Sequence, residues 1–274
     1  MKWILLSMGW MLACILLAAL LVYVIRKKKG TKRRWTHVLW TTLTAILLMA
    51  ATGAVYLSVY YHHDVSAEPY LVSGESVAVT PISGGLMFDG PSDTRAMIFY
   101  PGAKVEAEAY APLMYKIAEE WGDCFLVKMP ANMAMLDADA AKDIQQDYQY
   151  DQWYLAGHSL GGVTAATYLQ EHPESFCGLI LLAAYSNGQL TEELQAVSIY
   201  GDHDGVLNRK EYEKNRNNLP ENTEEVIIAG GNHAQFGNYG AQNGDGKAAI
   251  SWEEQQQQVL NALKSMANEE KINR

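Results

Sequence analysis

Cysteine, positive charge and repeats are all scarce in this sequence. Of three cysteines, Cys14 sits inside a long apolar run, which leaves two for the rest of the chain and no basis for a disulfide-stapled scaffold. Residues 65–274 hold only 13 Lys and Arg against 30 Asp and Glu, a net of −17. A surface that acidic repels phosphate polymers, which excludes nucleic acid as a partner. No internal repeat appears, and the low-complexity patch is a short Gln run at 255–258 within a helical pattern. Metal-binding spacing is also lacking. His62, His63 and Asp64 are adjacent residues on a stem, and Gly244-Asp245-Gly246 lacks the spaced oxygen ligands of a calcium loop. Neither a metal nor a cofactor is expected.

What the first 64 residues do have is apolar length and basic charge. Residues 3–25 and 38–61 carry no Asp, Glu, Lys or Arg, and each exceeds the ~20 residues that cross a hydrocarbon core about 30 Å thick. Trp3, Trp35, Tyr60 and Tyr61 stand at their ends, where amphipathic rings favour the headgroup region. A cleaved signal peptide is the alternative for the first run. It fits less well, because the run is long and passes into RKKKGTKRR without a small-residue cleavage site. Seven of the nine residues at 26–34 are Lys or Arg, and short loops this basic stay in the cytoplasm. A multi-pass cell-membrane protein is therefore expected, with both termini and everything after residue 64 on the extracytoplasmic side. Signalling or transport would call for ionisable groups inside the spans, and only His37 at an edge qualifies.

The expected organisation is a two-helix anchor over 1–64, a tether over 65–74 and one sizeable domain over 75–274. In that domain short apolar runs alternate with helical patterns. Strands are expected at 77–82, 86–88, 96–100, 124–129, 153–157, 178–184, 196–200 and 224–229, and helices at 106–121, 137–149, 159–171, 208–218 and 252–268. Such alternation implies an α/β fold with a mostly parallel sheet of eight strands and helices on both faces. Ligands of these sheets bind beyond the carboxyl ends of the strands.

Four strand ends carry chemistry. Gly157-His158-Ser159-Leu160-Gly161 follows WYLAG and opens a helical run. A G-x-S-x-G at such a junction makes a sharp turn that lifts the serine hydroxyl above the sheet, where it can act as a nucleophile; a helix-capping serine is the plainer reading. A serine nucleophile needs a base. His233 follows the last strand, whereas His158 is held by the turn itself and His172 sits in a helix-end sequence. An acid is sought between them, at Ile199-Tyr200-Gly201-Asp202-His203-Asp204, where Asp204 and Asp202 compete. The developing oxyanion needs two backbone N–H donors: Leu160 after the nucleophile, and Ala103, or Lys104, in the loop after AMIFY. Lys104 could also meet an anionic substrate, and Phe236 and Tyr239 could line an acyl pocket or simply build a surface loop.

The segments YPGAKVEAEAYAPL, YLAGHSLGG, SIYGDHDGV and GGNHAQFGNYG, in this order, resemble the bacterial α/β-hydrolases grouped near the dienelactone hydrolases. The resemblance covers nearly all of residues 75–270 and none of the anchor. It implies an α/β-hydrolase fold and a triad of Ser159, Asp204 and His233, the acid lying three residues beyond the strand-end glycine. Dienelactone hydrolases proper use cysteine as nucleophile, and here the elbow carries serine. On that fold Cys124 and Cys177 begin strands separated by two others, too far apart to bridge, so two buried free thiols are expected. About 11 residues, 185–195, separate the sixth and seventh strands, too few for a helical lid. The expected function is a membrane-anchored serine hydrolase cleaving a carboxylic ester, with small or polymer-attached esters as substrates. An acyltransferase with the same triad, or a non-catalytic binding module on the same fold, are the alternatives.

Overall fold

The computed structural model describes residues 2–29, 34–92 and 94–273, so residues 30–33 of the basic linker lie outside the described residues. The chain forms two compact units, Met1–Val59 and Tyr60–Arg274.

In the first unit, helix α1 (Lys2–Lys29) packs against helix α2 (Arg34–Ser58). Cys14, Ala18 and Val22, spaced four apart and so on one helical face, are buried together with Ala45 of α2. The remaining surface is apolar and open, with Leu16, Leu20, Val38 and Leu47 exposed. Thr36–Ser58, 23 residues long with a mean hydropathy of 1.8 over an 18-residue window, is long and apolar enough to cross a membrane, while Gly9–Ile25 is a shorter apolar stretch. The second helix stops at Ser58 rather than at the expected residue 61. Tyr61 is instead bonded into the second unit, donating its N–H to Lys104 O (2.7 Å) and accepting from Glu106 N (2.9 Å).

The second unit is built on an eight-stranded sheet in the order β1-β2-β4-β3-β5-β6-β7-β8. The strands are β1 (Ala78–Ile82), β2 (Gly85–Asp89), β3 (Arg95–Tyr100), β4 (Asp123–Val127), β5 (Gln152–His158), β6 (Gly178–Leu182), β7 (Gln195–Gly201) and β8 (Glu224–Ile228). β1 and β2 form an antiparallel hairpin, β2 meets β4 antiparallel, and β3 to β8 run parallel. Strands β3, β4 and β6 are buried along almost their whole length, as continuous apolar runs require when both faces are covered. Helices α3 (Ala111–Glu120) and α7 (Trp252–Asn273) contribute to the core on one face. Helices α4 (Ala140–Asp147) and α5 (Leu160–Glu171) contribute to the core on the other. Helix α6 (Arg209–Asn215) follows β7. Cys124 and Cys177 are free and, with β3 and β5 between their strands, stand where the expectation put them; Cys124 is buried and Cys177 half-buried.

The stretch expected as a tether is part of this unit. Val65–Tyr70 forms a 3-10 helix capped by Asp64, Ala67 is fully buried, and Asp64 N–H bonds Asn238 O at 2.7 Å. His63 donates its backbone N–H to Glu106 Oε2 (2.9 Å), which also lies 2.8 Å from its Nδ1. The sequence looked loose because its partners lie 40 to 180 residues away.

Candidate active site

Ser159 stands alone between the end of β5 and the start of α5, with φ 52° and ψ −124°. A non-glycine residue in that region costs about 1–3 kcal/mol and persists only where its surroundings over-determine it. Here Ser159 N–H is bonded to Leu182 O at 2.8 Å, and the flanking glycines let the backbone close in. A Cβ on Gly161 would lie 2.2 Å from Tyr100 O, and one on Gly157 would lie 2.5 Å from Gly162 N. Any other residue at either position would push the helix start off the sheet. Ser159 remains half-exposed at the sheet's carboxyl edge.

His233 reaches the same edge from the loop after β8. Its Nδ1 lies 2.8 Å from Asp204 Oδ2, and both side chains are essentially removed from water. The other Asp204 oxygen accepts from Val206 N (2.8 Å) and Leu207 N (2.7 Å). Burial pushes the Asp204 carboxyl up, but the His233 hydrogen bond and charge, with the Leu207 and Val206 amides, outweigh it and hold the group below its ordinary 3.8. Asp202, the competing acid, points elsewhere: its Oδ1 accepts from Gly230 N at 2.6 Å and the side chain is half-exposed to solvent. His233 Nε2 is buried and has no hydrogen-bond partner among the described residues. A buried unpaired nitrogen is costly enough to call for an explanation.

The loop that carries His233 is held by residues the sequence reading passed over. Asp245, from the Gly-Asp-Gly run, accepts from four backbone amides: Gly205 (3.1 Å), His233 (3.2 Å), Ala234 (2.9 Å) and Gly246 (2.8 Å). Gln255 opens the Gln run and is fully buried. It accepts from Asn232 N (2.9 Å) and donates to Asn232 O (2.8 Å), fixing the residue before His233 in both directions. Gln256, equally buried, donates to Asn238 Oδ1 at 2.8 Å. The low-complexity patch is thus a clamp.

His158, held by the elbow turn, nevertheless has its ring beside His233. Its ring is buried, with its centroid 4.4 Å from that of His233 and 5.5 Å from that of Phe236. Tyr110 Oη accepts from Gly102 N–H at 3.1 Å and lies 2.8 Å from His158 Nδ1. Burial, and then the neighbouring His233 charge, hold His158 well below the ordinary histidine value.

Around the loop after β3, most amides are committed. Gly102 N–H goes to Tyr110, Lys104 N–H to Asn132 O (2.7 Å) and Val105 N–H to Gly102 O (3.2 Å). Lys104 therefore does not serve as the second amide donor, since its N–H is already bonded and its backbone turns over at φ 59°; its side chain is half-exposed. Among the described residues no protein acceptor is recorded for the N–H of Ala103 or of Leu160. Phe236 and Tyr239 are not pocket walls. Phe236 is fully buried, and Tyr239 packs among Tyr61 and Tyr110, so neither presents surface to an acyl group. Among the described residues no group of three or more His, Cys, Asp or Glu is arranged to hold a metal.

An elbow after the fifth strand, with an acid and a histidine delivered by later strands of a mostly parallel sheet, defines the α/β-hydrolase class of fold. Residues 96–257 match the model of the alpha/beta hydrolase family, and the chain belongs to that family. Solved structures share the fold at low identity. A protein of Acinetobacter baumannii named as a lipase superposes with a TM-score of 0.53 at 11% identity, over 74% of this chain and 95% of its own. A membrane phospholipase A described as a bacterial virulence factor gives 0.52 at 14%, over 83% and 98%. An esterase from Mycobacterium tuberculosis gives 0.50 at 12%, over 74% and 95%. No curated protein matches the sequence.

Proposed function

We propose that the second unit is a serine hydrolase cleaving a carboxylic ester or related acyl bond, with Ser159 as nucleophile, His233 as base and Asp204 orienting the base. The observation that carries this reading is the state of His233: Nδ1 is held by a buried carboxylate while Nε2, on the other side of the ring, is kept dry and unpaired. A nitrogen in that condition is suited to take a proton that arrives only during reaction.

Ser159 Oγ attacks the substrate carbonyl as its proton passes to His233 Nε2. Asp204 stabilises the imidazolium without taking the proton. The carbonyl oxygen, now negative, accepts from the N–H groups of Leu160 and Ala103, neither of which meets a protein acceptor among the described residues. Collapse of the tetrahedral adduct expels the alcohol, which leaves with the proton from His233. Water then attacks the acyl-serine by the same route and regenerates Ser159. Lipases and esterases are built on this fold, which favours an ester as the bond class.

The first unit is proposed to be a membrane anchor of two helices, supported by the open apolar surface of α1 and α2 and the length of Thr36–Ser58. The basic residues at 26–34 would keep that stretch in the cytoplasm and the hydrolase outside.

The test is labelling of the full chain with a fluorophosphonate. Wild type is expected to label, and Ser159→Ala and His233→Ala are not. A folded wild type that stays unlabelled would sink the reading. Product analysis with and without an alcohol acceptor then separates hydrolysis from acyl transfer.

A further inference from the structure

We propose that residues 129–137, the loop after β4, form the acyl-side wall of the site, and that the acyl group cleaved is an apolar chain long enough to lie across it. This rests on the ester-cleaving reading above. In that chemistry the leaving oxygen must lie within reach of His233 Nε2, which returns its proton. With the carbonyl carbon on Ser159 and its oxygen at the Ala103 and Leu160 amides, the acyl group has to leave Ser159 on the side away from His233. Asp204 and His233 come from β7 and β8, on one flank of β5, and β3 and β4 lie on the other. The acyl group is thereby directed to the loops that follow β3 and β4.

The loop after β4 is fixed there and leaves apolar side chains in water. Asn132 O accepts the N–H of Lys104, next to the proposed oxyanion donor Ala103, at 2.7 Å. Tyr100 Oη, at the end of β3, donates to Ala138 O at 2.7 Å. The 3-10 turn Ala134–Leu136 packs on α5, the helix that Ser159 opens, with Ala134 buried. Two successive non-glycine residues, Ala131 (φ 50°) and Asn132 (φ 54°), adopt left-handed backbone to make this path, and such strain gathers at functional sites. Beyond them Met133 is half-buried, while Met135 and Leu136 are 58% and 57% exposed. Val65, Val72 and Ile227, also exposed and apolar in this unit, are isolated in sequence, whereas Met135 and Leu136 are adjacent. Methionine is unbranched and adapts its shape to irregular apolar partners. An acyl chain is the occupant that this position favours, because the bond from Asn132 O holds the loop bearing the exposed pair against the loop of the proposed oxyanion donor Ala103.

The test compares acetate, butyrate and octanoate p-nitrophenyl esters on the full chain in detergent, for wild type, the double variant Met135→Ser/Leu136→Ser, and Met135→Leu. Each variant is referred to wild type on the same ester, which cancels partition of the ester into detergent. The double variant is expected to lose about tenfold or more in kcat/KM on octanoate while staying within about twofold on acetate, and Met135→Leu to keep the octanoate rate. Equal loss on all three esters, or no loss on octanoate, would overturn the acyl wall. Fluorophosphonate labelling of each variant keeps the two readings apart. A labelled wild type without chain-length dependence removes only this inference, and an unlabelled wild type removes the hydrolase reading beneath it.

Discussion

The rings of His158 and His233 lie 4.4 Å apart, and only His233 has a carboxylate against it. His158 has Tyr110 instead, a neutral partner in a buried setting, and is held well below 6.5 by that burial and by the charge of His233. Two imidazolium rings this close would repel, so a neutral His158 leaves room for the charge that the proposed mechanism places on His233.

This gives the domain an acid-side weakness. Below pH 6.5 the unfolded chain protonates residue 158 and the folded chain does not, so folding stability falls as pH drops, by up to about 1.4 kcal/mol per pH unit until the folded group also titrates. Thermal melts of wild type between pH 7.5 and 4.5 should show that decline, and His158→Gln should flatten it. Asp204, with its lowered value, adds its own loss only as pH falls through 3.8 and below. An identical pH slope in both proteins would mean that His158 is charged in the fold.

Asp204 and Asp202 are separable by kinetics. Asp204→Asn keeps the shape but frees His233 to adopt the wrong tautomer, and kcat is expected to fall by about 10³–10⁴-fold. Asp202→Asn, which alters an exposed bond to Gly230 and an exposed contact with His203, is expected to stay within about threefold. Steady-state rates on one ester decide it, and a reversed order would reassign the acid.

Gln255 gives a prediction about folding. Gln255→Ala would strand both backbone groups of Asn232 in a buried site, at an expected cost of about 2–4 kcal/mol, read from the urea midpoint. A change under about 0.5 kcal/mol would show that the loop bearing His233 is held without it.

These examples mark what the sequence could reveal. The elbow was legible because its parts are contiguous: a strand, Gly157, Ser159, Gly161 and a helix follow one another. Asp204 was open to choice against Asp202 from the residues alone, since both follow the same strand and the difference lies in which carboxylate faces His233. Asp245 and Gln255 gave no local signal. Their partners are backbone amides some 12 and 23 residues away, and backbone groups have no sequence signature. Phe236 was open between a pocket wall and a surface loop, and the structure makes it core, packed by His158 from a distant strand end.

The stem is a further case. Tyr61 spans the loop after β3 and the loop of His233, bonding Lys104 O and Glu106 N through its backbone and accepting from Asn243 N at 3.2 Å through its hydroxyl. A chain beginning at Tyr60 is therefore expected to unfold cooperatively. One beginning at Glu75 is expected to lose several degrees in Tm and expose the surface that Ala67 covers. Equal melting of the two would make residues 60–74 a passive tether.

The connection from β6 to β7, residues 183–194, forms no helix, and it is also nailed down. Ser186, Leu190 and Leu194 are buried, Asn218 donates to Ser186 O at 2.9 Å, and Leu190 N–H bonds Asn218 O at 2.9 Å. Nothing in that segment is built to swing. If the proposed hydrolase reading holds, this connection supplies no cover that must open before a substrate enters, and no lipid–water interface is needed to move one. The hydrolase's velocity would follow the concentration of single ester molecules along one smooth saturation curve, with neither a lag at mixing nor a jump where the substrate begins to aggregate.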